Sequence, residues 1–171
     1  MGKPIGWGKC SIIVKDLDTP SAKWTKIATP KENTTKLNPT KGDKKEAPIE
    51  GGENEAVKYS ANKYVLEYVL RRVAGRKKPY KDTNGIIQNR YAVFVQPEDI
   101  TVPGPRIDET VVSLSDEFST EEGGLLTYNH DALKPETGNI VKWCTTTKDL
   151  STLKEGAVLA DSDVPFVDVD V

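Results

Sequence analysis

Short runs of β-branched and aromatic residues, each cut off by proline, glycine or asparagine, dominate this sequence, and a chain punctuated in this way folds into antiparallel strands rather than long helices. Ser11-Ile12-Ile13-Val14-Lys15 is the first run. Trp24-Thr25-Lys26-Ile27-Ala28 alternates large apolar with polar side chains and is expected to pair with it across the Asp16–Ser21 turn, which holds Pro20. Glu55–Ser60 alternates again, and Tyr91–Gln96, stopped by Pro97, is the clearest strand. Thr110–Leu114, Leu125–Tyr128, Asn139–Cys144 and Phe166–Val171 are further strand candidates. Tyr64–Val73 fits two periods: Tyr64, Leu66, Tyr68 and Leu70 share a strand face, while Val65, Leu66, Val69, Leu70 and Val73 make a helical stripe with Gly75 as C-cap. Its valines and tyrosines lean toward the strand. A short helix is expected after Ser151 or near Asp131–Leu133. Many short strands with frequent turns predict a sandwich or a barrel.

The polar stretch from Thr29 to Asn54 interrupts this pattern, with Pro30, Pro39, Pro48, Gly42, Gly51 and Gly52 around a centre of Thr40-Lys41-Gly42-Asp43-Lys44-Lys45-Glu46. A structureless loop of this length is uncommon inside a compact domain and is usually functional or disordered. The remaining length, within a chain of 171 residues, is enough for one domain with a sizeable core. No apolar stretch is long enough for a transmembrane helix, so no membrane partner is expected. The segment Met1–Trp7 lacks the apolar centre of a secretory signal, which predicts no Sec export and makes the sequon Asn33-Thr34-Thr35 uninformative.

Residues that carry chemistry are sparse. Cys10 and Cys144 are the only thiols and His130 the only imidazole, too few for a disulfide framework or a four-ligand zinc site. His130 has no nucleophile-elbow glycines around a serine near it, and a surface or turn histidine is the expectation. Asp116-Glu117 and Glu121-Glu122 offer carboxylates, but adjacent acids in a polar segment read as a solvated face. Gly2–Cys10 contains glycines and a lysine without the spacing of a phosphate loop, since Cys10 stands where a hydroxyl is needed and no strand precedes it. Arg71, Arg72, Arg76, Lys77, Lys78 and Lys81 with Tyr80 among them could contact a nucleic-acid backbone and stack on a base, or form an ordinary charged connector. No catalytic residue and no cofactor is expected.

The near-neutral net charge of -2 conceals an asymmetry: residues 1–90 carry 19 Lys/Arg against 10 Asp/Glu, and residues 91–171 carry 5 against 16. The halves could form opposite faces that steer self-assembly, or fold together so that the charges interleave.

The opening GWGKCSIIVKDLDTPSAKWTKIATP, the long Pro/Gly/Lys segment, the Glu50-Gly51-Gly52-Glu53 element and the later RYAVFVQPED resemble the phage major tail (tail tube) proteins of prophages in gut bacteria, over roughly residues 1–145. The resemblance lies in layout and not in a catalytic motif. It implies one mainly β domain over residues 1–171, a β-sandwich or barrel of antiparallel strands with a short flanking helix and a long polar loop, and it reads Tyr64–Val73 as a strand. It also implies a virion subunit, assembled in the host cytoplasm, that forms hexameric rings stacked into a tube through which phage DNA passes non-specifically. Other tail proteins would be its further partners. Residues 29–54 would be the assembly loop, with Lys41, Gly42, Lys44, Lys45, Gly51 and Gly52 reaching a neighbour. Asp99, Asp108, Glu109, Asp116 and Glu117 would supply lumen or interface charge, and residues 145–171 would be an extension outside the resemblance. Two other readings stand beside it: a tube protein of a contractile injection system, and a carbohydrate-binding β-sandwich. The second would expose Trp7, Trp24 or Trp143 as a stacking platform; Trp24 and Trp143, each in an alternating run, are expected in the core instead.

Overall fold

The computed structural model describes residues 2–171, leaving only Met1 outside. It is mainly β and antiparallel, with twelve strands: β1 (Ser11–Asp16), β2 (Trp24–Lys26), β3 (Lys36–Thr40), β4 (Lys44–Pro48), β5 (Asn54–Tyr59), β6 (Lys63–Arg71), β7 (Ile86–Gln96), β8 (Gly104–Ser119), β9 (Gly123–Ala132), β10 (Val141–Thr146), β11 (Val158–Leu159) and β12 (Phe166–Asp168). One sheet runs in the order β11-β2-β1-β7-β8-β9-β6-β3, with β10 and β12 attached through β8. Its end strands β11 and β3 do not pair with each other, so the structure is sandwich-like and not a closed barrel. β1 and β2 pair as the sequence predicted, with Ile13 opposite Lys26.

The long strand β8 makes the sheet fold over. Its first residues, Gly104–Ile107, pair with β10, whereas Thr110–Ser119 pair with β9 along the same edge. Between them lies a bulge, because Tyr91 faces Thr110 while Val93 faces Ile107. The extra residue lets Ile107 and Thr110 both point inward although two residues separate them, and a bulge of this kind bends and twists its strand. The main core fills the fold: Ile12, Val14, Val93 and Val95 of β1 and β7 meet Leu66, Tyr68, Leu126 and Tyr128 of β6 and β9.

β1 and β7 are buried on both faces. Ile13, Ala92 and Phe94 point away from the main core into a second, smaller one with Trp24, Leu150, Leu159 and Val164. The extension beyond residue 145 is therefore a strap that roofs β1 and β7. Phe166 packs edge-on against Trp24 and Phe94, at ring-centre distances of 5.5 and 4.8 Å. The amide of Gln96 holds the strap at two points, donating to Lys148 O at 2.8 Å and accepting from Leu150 N at 2.9 Å. Helical structure among the described residues is confined to this strap, as single 3₁₀ turns at Leu150–Thr152 and Asp161–Asp163. The helix expected near Asp131–Leu133 does not form, because Asp131 pairs with Val65 and Val111 at the end of β9.

Three expectations about strands resolve here. Tyr64–Val73 is a strand as far as Arg71, paired on both sides by β3 and β9. Phe166–Val171 is a strand only to Asp168, whose carboxylate caps Asp170 N at 3.0 Å and turns the chain out of the sheet. The segment Thr29–Asn54 is not structureless. Lys36–Thr40 joins the sheet beside β6, and Lys44–Pro48 forms a separate two-stranded hairpin with Asn54–Tyr59. Polar residues suffice for this, because a strand needs only a partner for its backbone groups and not an apolar face. No helix among the described residues is long and apolar enough to cross a membrane.

Candidate functional site

The β4–β5 hairpin is an arm. Every residue of both strands is exposed, and the hairpin forms a sheet of its own, apart from the main one. Its root is tight: Gly42 N donates to Asn62 Oδ1 at 3.0 Å, and a Cβ on Gly42 would sit 1.9 Å from Ser60 O, so only glycine allows the two crossing segments to touch. Its tip is the turn Glu50-Gly51-Gly52-Glu53, where Gly51 and Gly52 adopt φ of 92° and 85°. The charges sort along its length. Lys41 lies over the Tyr59 ring, 5.5 Å from its centre, Lys44 pairs with Glu46 at 2.6 Å, and Lys45 faces Lys58 across the strands. The stretch Ile49–Glu55 carries Glu50, Glu53 and Glu55 and no cation. The arm thus has a basic root, an acidic tip, and exposed Ile49, Val57 and Tyr59. An isolated hairpin is marginal in water, and exposed apolar side chains on β5 and beside the tip favour a covering surface.

Of the five acids expected to supply lumen or interface charge, Asp108, Glu109 and Asp116 are ion-paired within the subunit. Asp99 sits in the turn before β8, where its carboxylate accepts from Thr101 Oγ1 at 2.7 Å and Thr101 N at 3.0 Å, and these bonds hold it below the usual carboxylate range. Asp108 lies between Arg106, at 3.0 Å, and Lys142. Glu109 faces Arg90 at 3.7 Å and Asp116 faces Arg72 at 3.5 Å, which leaves Asp99 and Glu117 as the members with no ion pair among the described residues. Asp108 and Glu109 occupy the bulge between the inward-facing Ile107 and Thr110, and both are half-buried.

The charge asymmetry between halves is also resolved within the subunit. Lys15–Asp161, Lys31–Glu122, Arg71–Glu122, Arg76–Glu155 and Arg90–Glu109 each join a cation from residues 1–90 to an acid from residues 91–171. The charges interleave, because β7 from the first half pairs directly with β8 from the second. In the basic connector Arg71, Arg72, Arg76 and Lys78 have carboxylate partners, Lys77 and Lys81 are exposed without one among the described residues, and Tyr80 is buried rather than offered for stacking.

The chain matches no protein-family model, and no curated protein is significantly similar to it.

A groove of about 870 Å³ opens between the N-terminal segment, the Thr29–Leu37 segment, the Pro97–Pro105 turn and β10. Trp7 and Trp143 line it, exposed at 75% and 39%. Trp143 is therefore not the core residue expected from its alternating run: its neighbour Cys144 takes the buried face of β10, which turns Trp143 outward. Trp24, by contrast, is in the core as expected, its Nε1 donating to Asp161 Oδ1 at 2.9 Å. Lys9, Lys31 and Lys36 add three cations to the groove against the single carboxylate Glu32. Sequence reasoning missed this site because its walls come from four separated segments. Its one local signal is the run Pro97, Pro103 and Pro105 beside Val102.

His130 corrects another expectation. It is fully buried on β9 and not on the surface. Thr110 Oγ1 donates to Tyr91 O at 2.7 Å and so accepts from His130 Nδ1 at 3.0 Å. The proton is on Nδ1, which leaves Nε2 as acceptor for Tyr68 at 2.8 Å and Tyr80 at 3.0 Å. One lone pair takes one proton, so one tyrosine donates to Nε2 and the other to its partner's oxygen, the two hydroxyls being themselves in contact. Burial pushes the imidazole down to about 3 and both phenols well above their usual range. This cluster is a neutral polar core. Among the described residues no group of three or more His, Cys, Asp or Glu side chains is arranged to hold a metal ion.

Proposed function

We propose that this chain is a structural subunit of a phage tail tube, self-assembling through its projecting hairpin into stacked, hexameric rings that conduct DNA. The observation that carries this reading is the β4–β5 arm, ordered as a hairpin yet in a sheet of its own and exposed along both strands. A projecting, bipolar arm on a sandwich-like body makes a heterologous contact, since the surface that projects differs from the surface that receives it. Heterologous contacts close into rings or propagate as tubes. Overall charge separation is not the driver, because the two halves neutralise each other within one subunit. The subunit's partners are then copies of itself and other tail proteins, and its place is the virion.

Negative-stain electron microscopy over a concentration series, with light scattering on the same samples, tests this. The full chain is expected to give rings or tubes with a central channel. A variant with residues 44–59 replaced by a short glycine-serine linker is expected to stay monomeric. A full chain that is monomeric throughout, indistinguishable from the arm-deleted variant, overturns the proposal.

A further inference from the structure

The geometry points to the groove beside Trp7 and Trp143 as the socket for the acidic arm tip of a second copy of this chain. This docking rests on the self-assembly reading and names the surface that receives the arm. The two surfaces complement each other in charge and in apolar character. The tip stretch Ile49–Glu55 presents three carboxylates without a cation, and none of the three has an ion pair among the described residues. The groove presents Lys9, Lys31 and Lys36 against Glu32 alone. Lys9 has no ion pair among the described residues, and Lys36 reaches Glu67 only at 3.9 Å, so both have charge to offer. Ile49, exposed at 48%, is the apolar side chain beside the tip, and the tryptophans supply the apolar wall. Gly51 and Gly52 carry no side chains, which keeps the tip slender enough for a cleft.

The socket belongs to another copy and not to the arm's own chain. Lys36 and Leu37, at the start of β3, line the groove, whereas Thr40, at its end, leads away into the arm. The arm therefore starts beyond the groove, and its two strands pair only with each other. Desolvated aromatic side chains dominate most interfaces while rim charges set orientation and encounter rate, which gives the tryptophans the affinity and the lysines the register.

Mixing two full-fold variants tests this. The first is the arm-deleted chain, which keeps its groove. The second keeps the arm but carries Lys9→Glu and Trp143→Ala. Each is first shown to unfold cooperatively in urea. Sedimentation velocity is expected to find the full chain self-associating, each variant alone monomeric, and their mixture a closed one-to-one dimer, since only one arm and one intact groove remain. Trp143→Ala alone is expected to weaken self-association about 30-fold, as loss of a central aromatic does. Reversing both charges in one chain, Lys9→Glu with Glu53→Lys, is expected to restore association that either change alone reduces. A mixture that stays monomeric, or a groove variant that associates like the full chain, overturns the socket. So does tryptophan fluorescence of the arm-deleted chain that responds to maltohexaose but not to the second variant, which would assign the groove to a sugar. Tubes that need the arm but tolerate the groove variant overturn the socket and leave the tail-tube reading standing. A mixed dimer without tubes in the full chain does the reverse.

Discussion

His130 is the only imidazole in the chain, so its titration can be followed without assignment. In the folded protein burial holds it near 3, against 6.5 for the unperturbed group. The folded-state value is depressed, so below 6.5 the unfolded chain takes up a proton that the folded chain refuses. The stability this neutral histidine contributes is fully present above 6.5 and falls as the pH drops from there toward 3. The loss amounts to about 2 kcal/mol between about pH 7 and about pH 5, where carboxylates hardly titrate. Asp18, Asp82, Glu122 and Asp161, whose carboxyls are held low chiefly by hydrogen bonds to Arg90, Lys78, Lys31 and Lys15, remove stability in the same direction only at lower pH. Urea unfolding at a series of pH values reads the slope. His130→Gln, whose amide can donate to Thr110 and accept from a tyrosine, should flatten it across this window. The ring Cε1 proton of the native protein should not shift over the same range. A resonance moving with a midpoint near the ordinary histidine value, or equal slopes in both proteins, refutes the buried neutral network.

The same cluster predicts non-additivity. Tyr68→Phe or Tyr80→Phe alone leaves His130 Nε2 one hydroxyl donor and is expected to cost about 1 kcal/mol in urea unfolding, whereas the double variant orphans a buried acceptor and should cost about 1–3 kcal/mol beyond the sum. Phe166→Ala opens the second core between Trp24 and Phe94 and is expected to destabilise by about 2–4 kcal/mol, with faster proteolysis of the segment after residue 145. Gly42→Ala places a methyl group against Ser60 O, and should abolish hydrogen-exchange protection in the β4–β5 arm while leaving the His130 resonances unchanged. Cys10 and Cys144, whose thiols burial pushes up, should react slowly with a thiol reagent until the protein unfolds.

Local chemistry in the sequence was enough for the fold class and for most strands. Alternation, β-branching and turn residues are short-range signals, and they mark Ser11–Lys15, Trp24–Ala28 and Tyr91–Gln96 without knowledge of partners. The glycines at the arm tip were legible only as part of a polar loop, and the pairing of β4 with β5 made them a tight turn. What lay beyond reach depended on which strand lies beside which. The direction of Trp143 followed from the face that Cys144 took, and the burial of His130 followed from Thr110 and two tyrosines brought in from three other segments. Of the arm's two strands only β4 looked like part of a loop, because its polar residues pair through backbone bonds that leave no apolar pattern, whereas β5 was marked by the alternation of Glu55–Ser60. The charge asymmetry was correct as arithmetic, and only the pairing of β7 with β8 decided that the two halves would neutralise each other. Periodicity belongs to the chain, whereas proximity belongs to the fold.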